Sequence, residues 1–155
     1  MADTGRMSTP YRLHASIMYQ LTLTSRLQER RLEEGLRRLG LTRVTWCILL
    51  AVEIEGLSQP SEIAQFIGID RTATSRALRQ MEERGWVARQ TGEGDRRTTR
   101  VALTPLGSGL LARAAPIAAD NARHFLEKLP GDGPETLQRL LALLRAGEAH
   151  NLQHF

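Results

Sequence analysis

Arginine is the residue type whose number and placement most clearly suggest a chemical role in this 155-residue chain. Lys128 is the only lysine, so guanidinium groups carry almost all of the positive charge, and the formal net charge is +4. A guanidinium is planar, permanently charged and able to form paired hydrogen bonds with phosphates or guanine edges. Eight arginines against four acids lie between positions 71 and 100, and they are Arg71, Arg76, Arg79, Arg84, Arg89, Arg96, Arg97 and Arg100. This distribution predicts a polyanionic partner.

Two short helices joined by a tight turn are predicted at the start of this basic region. Pro60 suits the first turn of a helix that Gly68 ends, and Asp70 can cap the next helix, "RTATSRALRQMEERG". The link between them, "GID", is only three residues long. Such a pair of helices is typical of a helix-turn-helix motif.

The second of these helices has an apolar side and a side with hydroxyls and arginines. We expect the inward side to hold Ala73, Ala77, Leu78 and Met81. The other faces hold the candidate DNA contacts Arg71, Thr72, Thr74, Ser75, Arg76 and Arg79. Small hydroxyls permit close approach to a groove, and arginine reaches bases or phosphates. Glu82 and Glu83 would repel DNA but follow the contact turns. The alternative is an ordinary solvated amphipathic helix.

A β-hairpin with a basic tip is predicted next. "WVARQT" and "TTRVALT" alternate as strands do, and "GEGDRR" lies between them. Glycine allows a tight turn and close approach, and a narrow minor groove attracts arginine. Arg96 and Arg97 are therefore candidate DNA contacts, and Asp95 is expected to pair with Arg97 and orient the hairpin. A surface hairpin with incidental charge is the alternative.

Long amphipathic helices are predicted on both sides of this region. The first runs from Tyr11 to about Leu39, and Thr42 can cap a second, nearly all-apolar helix that ends at Gly56. Thr104 and Pro105 begin another long helix, and "ETLQRLLALLRAGEAHNLQHF" forms the last. One small core offers these helices no obvious partner, so burial of their apolar faces favours a dimer. Folding back on their own chain is the alternative.

With this order of elements, the chain resembles the MarR family of bacterial transcriptional regulators. "DRRTTRVALTPLG" is similar to the family's wing motif, through Asp95, Arg97, Leu103, Thr104 and Gly107. "SEIAQFIGIDRTATSRALRQMEERGWV" resembles its helix-turn-helix, and "LTRVTWCILL" the preceding helix. The resemblance implies a mainly α fold with a small β-hairpin. It divides the chain into a flexible arm (1–10) and one domain (11–155), in which a winged helix-turn-helix (42–104) lies between dimerisation helices (11–40 and 105–153).

The resemblance also implies a partner and a mode of action. Members are homodimers that bind double-stranded DNA at palindromic operators, most commonly as repressors. By this resemblance Arg76 contacts bases, Thr72, Thr74 and Ser75 contact bases or backbone, and Arg96 and Arg97 form the wing tip. Arg71 and Arg79 are expected to contact phosphates.

Many members respond to small phenolic or aromatic ligands, and the resemblance suggests where one would bind here. The candidate pocket residues are Tyr11, His14, Met18, Arg43 and Trp46. The alternative is that Trp46 and Met18 are dimer-core residues. Cys47 lies in an apolar run and is expected to be a core residue rather than a redox sensor. The four histidines are scattered, so no metal site and no cofactor is expected.

Other classes of protein are disfavoured by what the chain contains. A single cysteine excludes an internal disulfide, and no apolar run has the length of a membrane span, so we expect a cytoplasmic protein. No catalytic residues are assigned, because a phosphate-binding glycine loop, a nucleophile elbow and a His-Glu metal motif are all missing. A nonspecific or architectural DNA-binding protein, or a winged helix that binds protein, remain the alternatives.

Overall fold

Helices dominate the computed structural model, which describes residues 10–92 and 95–148 and, within 91–98, the backbone alone. The elements follow in the order α1 (Ile17–Leu36), α2 (Arg43–Glu53), α3 (Pro60–Ile67), α4 (Arg71–Glu83), β1 (Val87–Gly92), β2 (Asp95–Leu103), α5 (Pro105–Leu126) and α6 (Gly133–Arg145). Short 3-10 helices at Leu13–Ala15 and Arg37–Leu39 flank α1. The predicted fold class, mainly α with one β-hairpin, is confirmed. The predicted arm, residues 1–10, lies outside the described residues except for Pro10.

Side-chain caps are found at the starts of α2, α4 and α5, as the sequence indicated. Thr42 accepts from the Thr45 amide at 3.2 Å, Asp70 from the Ala73 amide at 2.7 Å and Thr104 from the Gly107 amide at 3.1 Å. Each cap satisfies an amide that has no partner within its own helix. The three predicted caps are therefore confirmed, and they fix where α2, α4 and α5 start.

The core lies where α2, α4, α5 and the base of the hairpin meet. Its fully buried side chains include Ile48 and Leu49 from α2 and Leu78 and Met81 from α4. Val87 and Val101 extend it from the two strands. The predicted inward face of α4 is thus confirmed for Leu78 and Met81, while Ala73 and Ala77 are half-buried.

The first helix packs along α5 within the same chain. A Cβ at Gly35 would overlap the Cγ2 of Ile117, so glycine allows the two helices to approach closely. Asn121, which is buried, donates to the Gln28 carbonyl at 3.2 Å, and Arg31 bonds the Asp120 carboxylate at 2.9 Å. Part of α1 therefore finds its packing and hydrogen-bond partners within its own chain, as expected if the helices fold back on that chain.

Several predicted boundaries were wrong. The first helix begins at Ile17 rather than at Tyr11. The second helix ends at Glu53 rather than Gly56, although Gly56 does adopt the left-handed φ of 68° that ends a helical segment. The last helix begins at Gly133, because Pro134 fits a first turn. It ends at Arg145, because Ala146 is extended. Residues 149–155 lie outside the described part of the chain.

The hairpin tip is shorter than the predicted "GEGDRR". Gly92 pairs with Asp95, so β2 already begins at Asp95 and includes residues 96 and 97. The register shifts between Thr91 and Gly92, which makes a bulge opposite the end of β1. At the other end, the Val101 amide donates to the Ser58 carbonyl at 2.8 Å, and this bond ties the hairpin to the segment before α3.

Candidate nucleic-acid interface

The helix-turn-helix presents one face of α4 to solvent. Ile63 and Ala64 of α3 are buried, Gly68 takes a left-handed φ of 71°, and Asp70 caps α4. Because Leu78 and Met81 face the core, the opposite side of α4 is open. Five of the six predicted contacts on α4 are exposed, and they are Arg71, Thr72, Ser75, Arg76 and Arg79.

The sixth, Thr74, does not lie on this face. Its exposed fraction is 1%, and its hydroxyl donates to the Asp70 carbonyl at 2.9 Å. Thr74 lies four residues before Leu78 and therefore above it on the buried face of the helix. The prediction that Thr74 points outward is wrong, because its helical phase is that of the core.

The hairpin has one face toward the core and one toward solvent. Val87 and Val101 are buried, while Ala88, Gln90 and Arg100 are exposed, as the alternation of a strand requires. The side chains of Asp95, Arg96 and Arg97 lie outside the described residues. Their assignment as wing contacts and as an orienting pair stays a prediction.

Two arginines near α4 make contacts that the sequence did not suggest. Arg89 of β1 lies with its Nε 3.3 Å from Glu82 Oε2, and its Nη2 donates to the Ser75 carbonyl at 3.4 Å. Arg84, the C-cap of α4, donates to the Gly40 carbonyl at 3.0 Å and lies 4.9 Å from the centre of the Trp86 ring. No sequence signal could have revealed these contacts. Arg89 reaches α4 only after the chain turns into the hairpin, and Arg84 reaches Gly40 only because the end of α4 packs against the turn before α2.

Thr104 and Gly107 of the wing motif have a structural role. The Thr104 hydroxyl donates to the Gly85 carbonyl at 2.6 Å and caps α5. A Cβ at Gly107 would overlap the Trp86 carbonyl oxygen, so only glycine lets α5 start against the base of the hairpin. These two residues join the hairpin to α5.

The predicted ligand-pocket residues are not gathered into one cavity of the single chain. Tyr11, His14 and Met18 are exposed near the start of α1, whereas Trp46 is buried in the core. Arg43 is half-buried, with its Nε 3.7 Å from Glu29 Oε1. Two concave regions of about 490 and 410 Å³ lie along α1, but other residues line them, among them Arg31, Gly35 and Ile117 in the larger.

Cys47 and Asp120 have shifted ionisation. Burial raises the pKa of the Cys47 thiol above its ordinary value, with Arg43 opposing and Glu29 adding to the shift. The hydrogen bond from Arg31 holds the pKa of the Asp120 carboxyl below its ordinary value, and Arg123 lowers it further. A raised thiol pKa is the reverse of what nucleophilic or redox chemistry requires.

Neither a group of metal ligands nor a helix able to span a membrane is found among the described residues. Among them no three histidine, cysteine or acidic side chains are grouped as metal ligands would be. Of the helices between residues 10 and 148, none combines the length and apolarity needed to cross a bilayer. His150 and His154 lie outside the residues concerned.

Known proteins are similar to this part of the chain. A model of the MarR family matches residues 39–98, the segment that contains α2, α3, α4 and β1. YwoH of Bacillus subtilis, an uncharacterised HTH-type transcriptional regulator, is 30% identical over 88 residues. That alignment covers 57% of this chain and 64% of YwoH, which is less than two thirds of the relative's length.

Two solved structures extend the similarity over most of the chain. The transcriptional regulator MOSR of M. tuberculosis, in complex with DNA, has a TM-score of 0.70 and 27% identity, over 86% of this chain and 96% of that one. The organohalide-sensing regulator RdhR, in its 2,4-dichlorophenol-bound form, has a TM-score of 0.80 and 16% identity, over 96% and 90%.

The fold and the site thus define a winged helix-turn-helix protein. Residues 39–98 match the MarR family, and the fold is similar to that of MOSR over most of the chain.

Proposed function

We propose that this protein is a sequence-specific DNA-binding transcriptional regulator, acting in the cytoplasm as a homodimer. The exposed face of α4 carries the proposal. Arg71, Arg76 and Arg79 are exposed there beside the hydroxyls of Thr72 and Ser75. A helix with this composition suits the major groove, where arginine reads guanine edges and binds phosphates. The DNA complex of MOSR supports the same use of the fold.

The dimer is proposed from apolar surface that one chain leaves open. Ile17 and Met18 of α1 are mostly exposed, and so are Leu140, Leu143 and Leu144 of α6. Within the part of the chain that the structure describes, no residue of α6 is buried. A second copy would cover this surface and supply a second α4, which matches a palindromic operator with half-sites about one helical turn apart.

A small phenolic or aromatic effector is the proposed signal, with repression as the proposed mode. RdhR binds 2,4-dichlorophenol, which supports this class of ligand. Tyr11, His14 and Met18 are exposed near the proposed dimer surface, so a pocket with Arg43 would need the partner to close it. Trp46 would contribute only an edge, because it is buried in the core.

The test is selection of binding sites from a randomised duplex DNA library by the full-length protein. We expect an inverted repeat to be enriched, and binding to it to weaken when a phenol such as 2,4-dichlorophenol is added. Enrichment of no sequence, together with binding to any duplex, would instead indicate a nonspecific or architectural protein. A phenol without effect would remove the effector from the proposal and leave the regulator.

Salt dependence separates the contacts of α4 from those of the hairpin. Replacing Arg96 and Arg97 with alanine should weaken binding and reduce the slope of log affinity against log salt by about 0.9 for each phosphate that is no longer neutralised. An unchanged slope would show that the hairpin does not touch DNA. The matched control is Arg113→Ala, which removes one exposed arginine from α5.

A further inference from the structure

Arg89 projects from the hairpin toward α4 instead of toward solvent. In the strand register Arg89 faces Val101, and it lies two residues beyond Val87 on the same side of β1. Val87 and Val101 are both buried, so this is the face that packs on the core. An arginine on an inward strand face needs a partner for its charge.

Glu82 and the backbone of Ser75 supply that partner. The Arg89 side chain is 27% exposed and the Glu82 side chain 42% exposed, with Nε and Oε2 3.3 Å apart. The same guanidinium donates from Nη2 to the Ser75 carbonyl at 3.4 Å. The Nε–H is not aligned with the carboxylate, so the contact with Glu82 is an ion pair rather than a directed hydrogen bond.

The geometry of α4 explains how one guanidinium reaches both groups. Ser75 and Glu82 are seven residues apart and therefore lie on one side of the helix, two turns from each other. The Ser75 carbonyl points toward the C-terminal end, and the Glu82 side chain leans back toward the N-terminal end. Arg89 lies between them and spans the turns that carry the exposed Ser75, Arg76 and Arg79.

The hairpin needs such an attachment. A two-stranded hairpin is marginal in isolation. Its base is fixed by Val87 and Val101 in the core and by the Val101–Ser58 bond. Among the described side chains, Arg89 is the outermost one that forms a hydrogen bond or an ion pair with α4. It lies one residue pair beyond Ala88 and Ala102 toward the tip.

We propose that the contact between Arg89 and Glu82, which we call the clamp, sets the angle between the hairpin and α4. Both are therefore positioning residues for DNA binding. This inference rests on the proposed function. It gives Glu82 a positive role, although an acid beside phosphates should by itself oppose binding.

Whether replacing Glu82 weakens or strengthens DNA binding tests the clamp. On the operator duplex that the wild-type protein selects, we expect Glu82→Ala to bind about three- to fivefold more weakly, the scale of a partly exposed ion pair. Glu83→Ala is the matched control, because Glu83 is an exposed acid at the next position with no ion pair among the described side chains. It should bind as well as the wild type or slightly better.

A double-mutant cycle separates positioning from direct contact. Arg89→Met keeps the apolar stem, and we expect the Arg89→Met/Glu82→Ala pair to bind no more weakly than the weaker single variant. Weakening by Arg89→Met with no loss in Glu82→Ala would mean that Arg89 touches DNA directly, which overturns the clamp. Additive losses would overturn it as well.

A distance measurement on the free protein makes the result independent of DNA. Spin labels at Gln80→Cys and Gln90→Cys, both exposed, in a Cys47→Ser background report the separation of α4 and β1. With labelled chains diluted in an excess of unlabelled protein, so that a dimer holds at most one labelled chain, we expect one narrow distance in the wild type and Glu83→Ala. We expect a broadened or shifted distribution in Glu82→Ala. An unchanged distribution in Glu82→Ala overturns the clamp. Failure of the wild type to select any operator would overturn the proposed function but leave this measurement standing.

Discussion

Arg76 is the residue whose loss should change sequence preference most directly. It is exposed in the middle of the open face of α4, between Thr72 and Arg79. A bidentate contact to guanine is worth about 1–3 kcal/mol of discrimination, so Arg76→Ala should lose that amount at one base position and relax specificity there. Competition among operators with single base changes measures it. An equal loss on all sequences would show that Arg76 is only a phosphate contact, and Arg113→Ala controls for charge.

Thr74 should affect stability and leave DNA binding alone. Its hydroxyl is buried and bonds the Asp70 carbonyl at 2.9 Å. Thr74→Val removes that bond, which we expect to cost about 0.5–1.5 kcal/mol in the free energy of unfolding. Urea denaturation measures the cost, and affinity for the selected operator should stay within twofold or so of wild type. Ser75→Ala, in contrast, should weaken binding with little change in stability.

These residues show which features the sequence could predict. Thr42, Asp70 and Thr104 cap helices through bonds to amides three residues away, so local sequence suffices to find them. Thr74 was assigned to the wrong face because its polar hydroxyl was given more weight than its spacing. It lies four residues before Leu78 and seven before Met81, which places it on the buried side of α4. Arg89 and Glu82 were missed because their contact forms only after the chain turns back through Gly85 into the hairpin.

At the scale of elements, the joint between the hairpin and α5 depends on Gly107. A Cβ there would overlap the Trp86 carbonyl, which is backbone and cannot move aside by changing a rotamer. We expect Gly107→Ala to destabilise the fold by about 1–3 kcal/mol. Gly109→Ala is the control in the same helix, because a Cβ at Gly109 meets open space.

The control substitution Gly109→Ala should change the stability in the opposite direction to Gly107→Ala. Alanine is preferred over glycine inside a helix by about 0.8–1.0 kcal/mol, so Gly109→Ala should raise the midpoint of thermal unfolding while Gly107→Ala lowers it. Equal effects of the two substitutions would mean that the contact between α5 and the hairpin does not constrain Gly107.

The joint between α1 and α5 should be sensitive to acid. The pKa of Asp120 is lowered chiefly by the hydrogen bond from Arg31, so the ionised carboxylate stabilises the folded chain. That contribution is present above the unfolded pKa of about 3.9 and is lost as pH falls through the lowered folded value. Thermal unfolding followed from pH 6 down to about 2 should therefore show a loss that Asp120→Asn reduces. Asp132→Asn, at an exposed aspartate outside this joint, is the control.

At the scale of the whole molecule, the exposed leucines of α6 should determine whether the protein forms a homodimer. Leu140 and Leu144 are 50% and 53% exposed in the single chain. Burying a leucine contributes about 1.5–3 kcal/mol, so Leu140→Glu with Leu144→Glu should weaken a homodimer at least about 100-fold and abolish operator binding at nanomolar protein. Sedimentation equilibrium measures the dimer.

A control variant of α6 distinguishes the effect of added negative charge from the loss of leucine packing. Gln138→Glu with Ala142→Glu adds two acids at the same spacing, on the side of α6 opposite Leu140 and Leu144. We expect that variant to remain dimeric. Dissociation of both variants would point to charge repulsion, and dissociation of neither would place the interface elsewhere.

Cys47, the only cysteine in the chain, can be used to measure local opening of the core. Its thiol is half-buried beside Ile48 and Leu49, and burial raises its pKa, so little reactive thiolate exists near neutral pH. Alkylation by a maleimide should therefore proceed mainly when α2 loosens. Since each chain can take up only one adduct, the labelled fraction read by mass spectrometry over time reports how readily that helix opens. Slower labelling with operator DNA present would report how far docking stiffens the protein interior.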